Sequence, residues 1–212
     1  MINVVYSDSD IIVCEKPIGT LSEGDMPALL CEQCALAAPP FVVHRLDRGT
    51  GGLMVYAVTK KAAAALSGAI TGGTFKKEYL AAVHGRPEQT AGTWRDLLYH
   101  DAKKNKSYVV TRERHGVREA VLDYELQSSV ETDSGTLSLV LIRLHTGRTH
   151  QIRVQFSHRH MPLFGDRRYG ARDSGSTPAL WSHRLSFPHP ATGESMTFTL
   201  PAPEGVPWGA FR

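Results

Sequence analysis

The chain has 212 residues, 42% of them hydrophobic, and a formal net charge of +3; that is enough apolar material for one large domain or two small ones, with no sign of disorder or repeats. Three cysteines do not make a disulfide framework, and no stretch of transmembrane length is free of charged and polar residues. The opening MINVVYSDSD lacks the basic and apolar regions of a signal peptide, so a reducing cytoplasm is the expected compartment.

In chain order, INVVYSDSDIIVCEKP predicts two short strands around a polar turn, ended by Pro17. IGTLSEGD reads as a loop, and DMPALLCEQCALAA as a helix that stops before Pro39-Pro40. GGLMVYAVT is a buried strand. Thr59 then caps an alanine-rich helix, KKAAAALSGAIT, closed by Gly72-Gly73. TFKKEYLAAVHG is a strand with Tyr79 in its middle, and residues 86 to 118 look like a polar insertion. REAVLDYELQSSV and GTLSLVLIRLH form a hairpin of long strands. Thr146 and Gly147 open a helix from about Arg148 to His160, and PALWSHRLSFPHP and SMTFTLPAP are further strands. Strands outnumber helices and short turns join many of them. That predicts an α+β fold with a mixed, mostly antiparallel sheet, in one domain over residues 1–212.

Charge is unevenly spread. Between Ile142 and Arg172 stand seven arginines (Arg143, Arg148, Arg153, Arg159, Arg167, Arg168, Arg172) and one acid, Asp166, leaving the rest of the chain net negative. Arginine without lysine, interleaved with histidine and glycine, favours planar recognition of phosphate and hence a nucleic-acid partner over a merely solvated face. Cys31 and Cys34 have metal-ligand spacing, but no second such pair follows, and Cys14 is the only other thiol; small core residues are the simpler account. His145, His150, His158 and His160 crowd one region without HExxH spacing or paired carboxylates, so phosphate contacts and helix-end hydrogen bonds explain them better than a metal. Gly49 to Gly52 make a tight turn, not a phosphate loop. Asp47, in HRLDRGTGG, would ordinarily be a turn residue or a salt-bridge partner. Its company raises a second reading: a carboxylate kept ionised in a dry pocket needs an opposing guanidinium, and Arg148 at a helix start could supply one.

HRLDRGTGGLMVYA, KKEYLAAVHG and LHTGRTHQIRVQ…MPLFGDRRYG, with IIVCEKPIGTLS and LWSHRLSFPHP, resemble the motifs of RluA-type (RluA/RluC/RluD family) RNA pseudouridine synthases over nearly all the chain. Gly51 stands where that family usually has serine, Gln155 where histidine is common, and CEKP replaces a more usual asparagine-lysine-proline. The chain is too short for the extra N-terminal RNA-binding domain of most members, and resembles the minimal, catalytic-domain-only form. The resemblance implies a pseudouridine synthase fold with a central cleft and flanking helices. It implies isomerisation of specific uridines in ribosomal or transfer RNA, without cofactor or metal, by a cytoplasmic monomer. Asp47 would be the catalytic carboxylate, attacking ribose C1′ or taking a ribose proton. Tyr79 would pack on the uracil and assist loss of the C5 proton. Arg148 would pair with Asp47, Ile152 would form an apolar wall of the uracil pocket, and Arg45 would enter the RNA stack in place of the extruded base. The rival readings are a metal-dependent nuclease and a non-catalytic RNA-binding module.

Overall fold

The computed structural model describes residues 1–133 and 135–212. They form two compact units: one of Met1–Glu78 and Trp181–Ala202, the other of Tyr79–Leu180 and Pro203–Arg212. The strands are mixed and mostly antiparallel, with three α-helices, as expected from the pattern of apolar runs.

In the first unit, β1 (Val4–Ser7) and β2 (Ile11–Lys16) pair antiparallel around the Asp8–Asp10 turn. Helix α1 (Asp25–Gln33) is shorter than the alanine-rich composition up to Ala38 suggests. Its end is a Schellman-type turn: Leu36 N–H bonds back to the Cys31 carbonyl and Ala35 N–H to that of Glu32, with Ala35 at φ 49°. A two-residue strand, β3 (Phe41–Val42), precedes β4 (Gly51–Ala57), whose seven residues are all buried. Helix α2 (Lys60–Thr71) has Thr59 as N-cap, its hydroxyl accepting from Ala62 N–H at 3.1 Å, as the sequence predicts.

The unit closes with β10 (Leu180–Pro188), parallel to β4, and β11 (Ser195–Thr199), antiparallel to β10. The core brings Ile11, Val13, Leu53 and Val55 from the strands against Leu66 of α2 and Leu185 of β10, and the Phe75 and Phe187 rings stack 5.1 Å apart. Gly51 and Gly52 are dictated by the close approach of β10. A Cβ on Gly51 would lie 2.5 Å from the Trp181 ring, and one on Gly52, at φ 109°, would strike the Ser182 backbone. A serine at position 51, as the resemblance would lead one to expect, therefore has no room beneath Trp181.

The second unit receives β5 (Lys76–His84) from Tyr79 onward. Its strands run in the order β5, β9 (Gly135–Leu144), β8 (Val117–Thr132), β6 (Ala91–Asp101), β7 (Lys106–Val110). The segment that reads as a polar insertion is thus mostly the β6–β7 hairpin, with Leu97 to Asp101 paired antiparallel with Val110 to Lys106. Its strands alternate buried and exposed residues weakly, which hides them from a pattern search. Helix α3 (Gln151–His158) starts later than expected, because His150 adopts φ 55° and cannot belong to it. Val154 of α3 packs with Leu98, Ala120 and Tyr169.

At the β1–β2 turn, His189 Nε2 lies 2.9 Å from Asp8 Oδ2, which also accepts from Tyr6 OH at 2.7 Å; Asp8 Oδ1 accepts from the Asp10 and Ile11 amides. Partial desolvation would raise the Asp8 carboxyl, but the bonds from Ile11, Tyr6, Asp10 and His189 outweigh it and hold the group at about 2. A depressed carboxyl stabilises the fold above its unfolded value and loses that contribution as pH falls from about 4 to about 2. Asp8→Asn is expected to remove this acid limb from the pH profile of urea denaturation.

Candidate active site

Asp47 lies in the segment between β3 and β4 and is half-buried. Several anchors fix this segment, all within the first unit. His44 is buried, and its Nε2 accepts the Val55 amide of β4 at 3.2 Å. Burial, aided by the charge of Lys77, drives the imidazole down to about 3, so it stays neutral, with its proton on Nδ1. Leu46 exchanges both backbone bonds with the hydroxyl of Ser22. The Asp47 carbonyl accepts from Thr50 N–H at 2.9 Å. Arg48 is tied to Gly19 twice, its carbonyl accepting the Gly19 amide and its Nε donating to the Gly19 carbonyl, each at 2.8 Å.

The loop that carries Gly19 begins at Lys16, opposite Gly52 in the β2–β4 ladder. Lys16 is fully buried, and its ammonium donates to the Pro17 and Thr20 carbonyls at 2.9 Å each. Desolvation lowers it to about 8 against the pull of Asp47 and Asp25, whose negative charges favour the ammonium. The negative charge of Asp47 is thus felt by a buried cation of its own unit. In the sequence alone, Arg148 is the cation that suggests itself for that charge. The EKP string gives the one hint, a lysine ending an otherwise apolar strand.

Arg45 projects from the same segment and is exposed, paired with exposed Glu23 at 3.2 Å; a pair so wet contributes little to stability.

The structure brings Arg45 and Asp47 onto one loop of the first unit and places Tyr79, Arg148 and Ile152 in the second. Tyr79 is buried on β5 and Ile152 is buried on α3. Arg148 does not stand in the first turn of a helix, as the sequence suggests, but in the turn that precedes α3. It therefore shares no helix face with Ile152. Its Nε donates to the Glu119 carbonyl at 2.9 Å. What holds this turn is Gln151, which sequence reasoning passed over. Its Oε1 accepts from Thr146 Oγ1 and Arg148 N–H, while its Nε2 donates to the Val121 carbonyl.

The basic segment is less free than its composition suggests. Arg153 makes a buried two-pronged pair with Asp166 at 2.7 and 2.8 Å. Arg159 pairs with Asp96 and lies 4.2 Å above the Trp94 ring, and Gln155 donates to the same Asp96. Nor do the histidines converge. His150 bonds Tyr169 OH at 3.0 Å, His145 bonds Asp123 at 2.6 Å, and His158 and His160 are exposed. Among the described residues, the cluster with metal-ligand spacing is Asp8, Asp10 and His189 instead. There the His189 Nδ1 accepts from the Ala191 and Thr192 amides, so Nε2 carries the proton given to Asp8. A cavity of about 410 Å³ in the second unit, lined by His84, Phe164 and Val206 among others, contains none of the candidate residues.

The family model for RNA pseudouridylate synthases matches residues 10–158. The chain belongs to that family. It is an RluA-type member, an isomerase acting on RNA. The ribosomal large subunit pseudouridine synthase D of Vibrio cholerae is 34% identical, over 97% of this chain and 68% of that one. The uncharacterised RNA pseudouridine synthase YlyB of Bacillus subtilis is 32% identical, over 97% and 70%. The fold matches that of human RNA pseudouridylate synthase domain containing 1 with a TM-score of 0.82 at 22% identity, over 95% of this chain and 83% of that one. Among the described residues, no helix is long and apolar enough to cross a membrane.

A lysine held below its usual pKa costs stability while it is charged. The cost is full below about pH 8 and is relieved as pH rises from there toward 10.5. Buried Cys14, pushed up to about 12, and Tyr56, also raised, act in the opposite direction in alkali. The informative quantity is therefore a difference: between pH 8 and 10 the wild-type protein should gain urea stability relative to Lys16→Met.

Proposed function

We propose that this chain converts particular uridines of structured ribosomal or transfer RNA to pseudouridine, as a cytoplasmic monomer, with Asp47 as its catalytic carboxylate. The observation that carries the reading is the way Asp47 is held. A half-buried carboxylate stands on a loop pinned on both sides by backbone bonds, in electrostatic reach of a buried cation. A turn residue with only a structural duty needs no such provision.

The reaction breaks the bond between ribose C1′ and uracil N1, turns the base, and joins C5 to C1′. C5 then loses its proton and N1 gains one. Atoms and electrons balance, so no external oxidant or reductant enters. Asp47 either attacks C1′ or removes a ribose proton to start the detachment. Tyr79 packs against the loosened uracil, and its hydroxyl assists proton loss at C5. Arg148 pairs with Asp47, and Ile152 lines the uracil pocket. Arg45 fills the gap left by the extruded base, because a guanidinium stacks on bases and bonds phosphate at once.

Asp47→Asn keeps the shape and removes the charge. Isomerisation is expected to vanish while RNA retention on a filter stays within a few-fold of wild type, and substantial pseudouridine in the variant's product would defeat the reading. Tyr79→Phe keeps the ring but not the polar atom. It should bind RNA normally and turn over at least tenfold more slowly; wild-type turnover would show that the hydroxyl is dispensable.

A further inference from the structure

Leu46 stands between Arg45 and Asp47, where the chain has left β3 and not yet entered β4. A residue buried there has no neighbouring strand for its peptide groups, and such groups must find partners. One hydroxyl serves both. Leu46 N–H donates to Ser22 Oγ at 3.1 Å, and Ser22 Oγ–H donates to the Leu46 carbonyl at 2.9 Å. Ser22 and Leu46 are 4% and 7% exposed, so water does not compete.

Ser22 is itself held. Tyr56, fully buried on β4, donates its phenol to the Ser22 carbonyl at 3.0 Å. A continuous chain of bonds thus runs from the most buried strand of the unit, through Tyr56 and Ser22, to Leu46.

The geometry of the peptide bond gives this chain its meaning. The Leu46 carbonyl belongs to the same planar unit as the Asp47 amide, and the Leu46 amide belongs to the plane before it. Tying one group of each plane to the same oxygen narrows the φ and ψ open to Leu46 and so restrains the Cα of Asp47 that follows. The bond from Thr50 N–H to the Asp47 carbonyl fixes the next plane.

We propose that Ser22 is a positioning residue for Asp47, its hydroxyl setting the two peptide planes that aim the carboxylate. The inference rests on the reading of Asp47 as the catalytic carboxylate. Ser22→Ala removes the single oxygen and lets the 45–47 segment rotate. Displacement of a reacting group by about 1 Å costs on the order of 100-fold in rate.

The test is a single-turnover assay with the full chain in saturating excess. Its substrate is total RNA from cells that lack the protein, labelled with tritium at uridine C5, so that tritium release reports isomerisation. Ser22→Ala should lower the saturated rate constant by about 10- to 100-fold, with RNA affinity within twofold of wild type. A merely structural role would lower the denaturation midpoint and the folded fraction without changing the rate constant at saturation. If Ser22→Ala runs at the wild-type rate while Asp47→Asn is inactive, the positioning role is overturned and the reading of Asp47 stands. An active Asp47→Asn overturns both. Should Ser22→Ala not fold, Tyr56→Phe carries the same test, because it removes only the oxygen that braces Ser22. A several-fold fall in the saturated rate supports the proposal, and an unchanged rate overturns it.

Discussion

The hydrogen bond from the Val55 amide to the neutral ring of His44 is the constraint on which the first unit's loop depends. Strand β4 is paired with β2 along its length, but its other edge is shared. Phe41 and Val42 of β3 cover Ala57 and Tyr56, and Trp181 and Ser182 of β10 cover Gly51 and Gly52. Between them the edge is open, and an unpaired amide in so buried a strand is costly. His44 closes it from one side, while Ser182 Oγ closes it from the other by donating to the Leu53 carbonyl at 2.8 Å. Because side chains replace the missing ladder, the backbone after Val42 is released from the sheet and can turn Arg45 and Asp47 outward while Leu46 stays buried. A protonated imidazole could not accept that amide, so the near-complete burial of His44 serves the architecture directly.

Much of this was legible in the sequence, and what was legible was local. Thr59 announces α2 because a cap and its target lie three residues apart. Apolar runs announce β2, β4, β8 and β9 because a buried strand needs them. Asp47 drew attention through its immediate neighbours. The parts that escaped depend on partners far along the chain. Ser22 reads as an ordinary loop serine until the fold brings it to Leu46, 24 residues on. Tyr56 looks like one more residue of a strand. Gln151 looks like a helix surface residue, yet it is buried and supports the Arg148 turn. The start of α3 escaped for a different reason: His150 takes a left-handed conformation that nothing in its residue type requires.

The arginine-rich stretch shows why a count of charges is a poor guide to a surface. Neutralisation is a matter of distance in space, and Asp96 lies about sixty positions before the Arg159 it meets. The buried pair of Arg153 with Asp166 costs desolvation on both sides, and such pairs are more readily justified by the geometry they impose than by stability. Here that geometry is visible. Arg153 also lies 5.0 Å over the ring of Tyr169, whose hydroxyl takes the Ser107 amide of β7. These arginines tie α3, the turn after it and the β6–β7 hairpin together.

The contact between Arg45 and Glu23 is weak as a stabiliser, but it changes what an approaching polyanion encounters. A cation in open solvent carries a diffuse cloud of mobile anions, and binding a phosphate sets some of them free, which makes affinity fall steeply with added salt. Arg45 carries a tethered anion instead. When it enters RNA in the proposed way, it exchanges one fixed negative partner for another, and Glu23 is left behind beside a phosphodiester chain that repels it. Glu23 thus behaves as a built-in competitor of unchanging local concentration. Because the pair is so exposed, that exchange costs little, and its mark is a shallower dependence of RNA affinity on salt than an unpaired arginine would give.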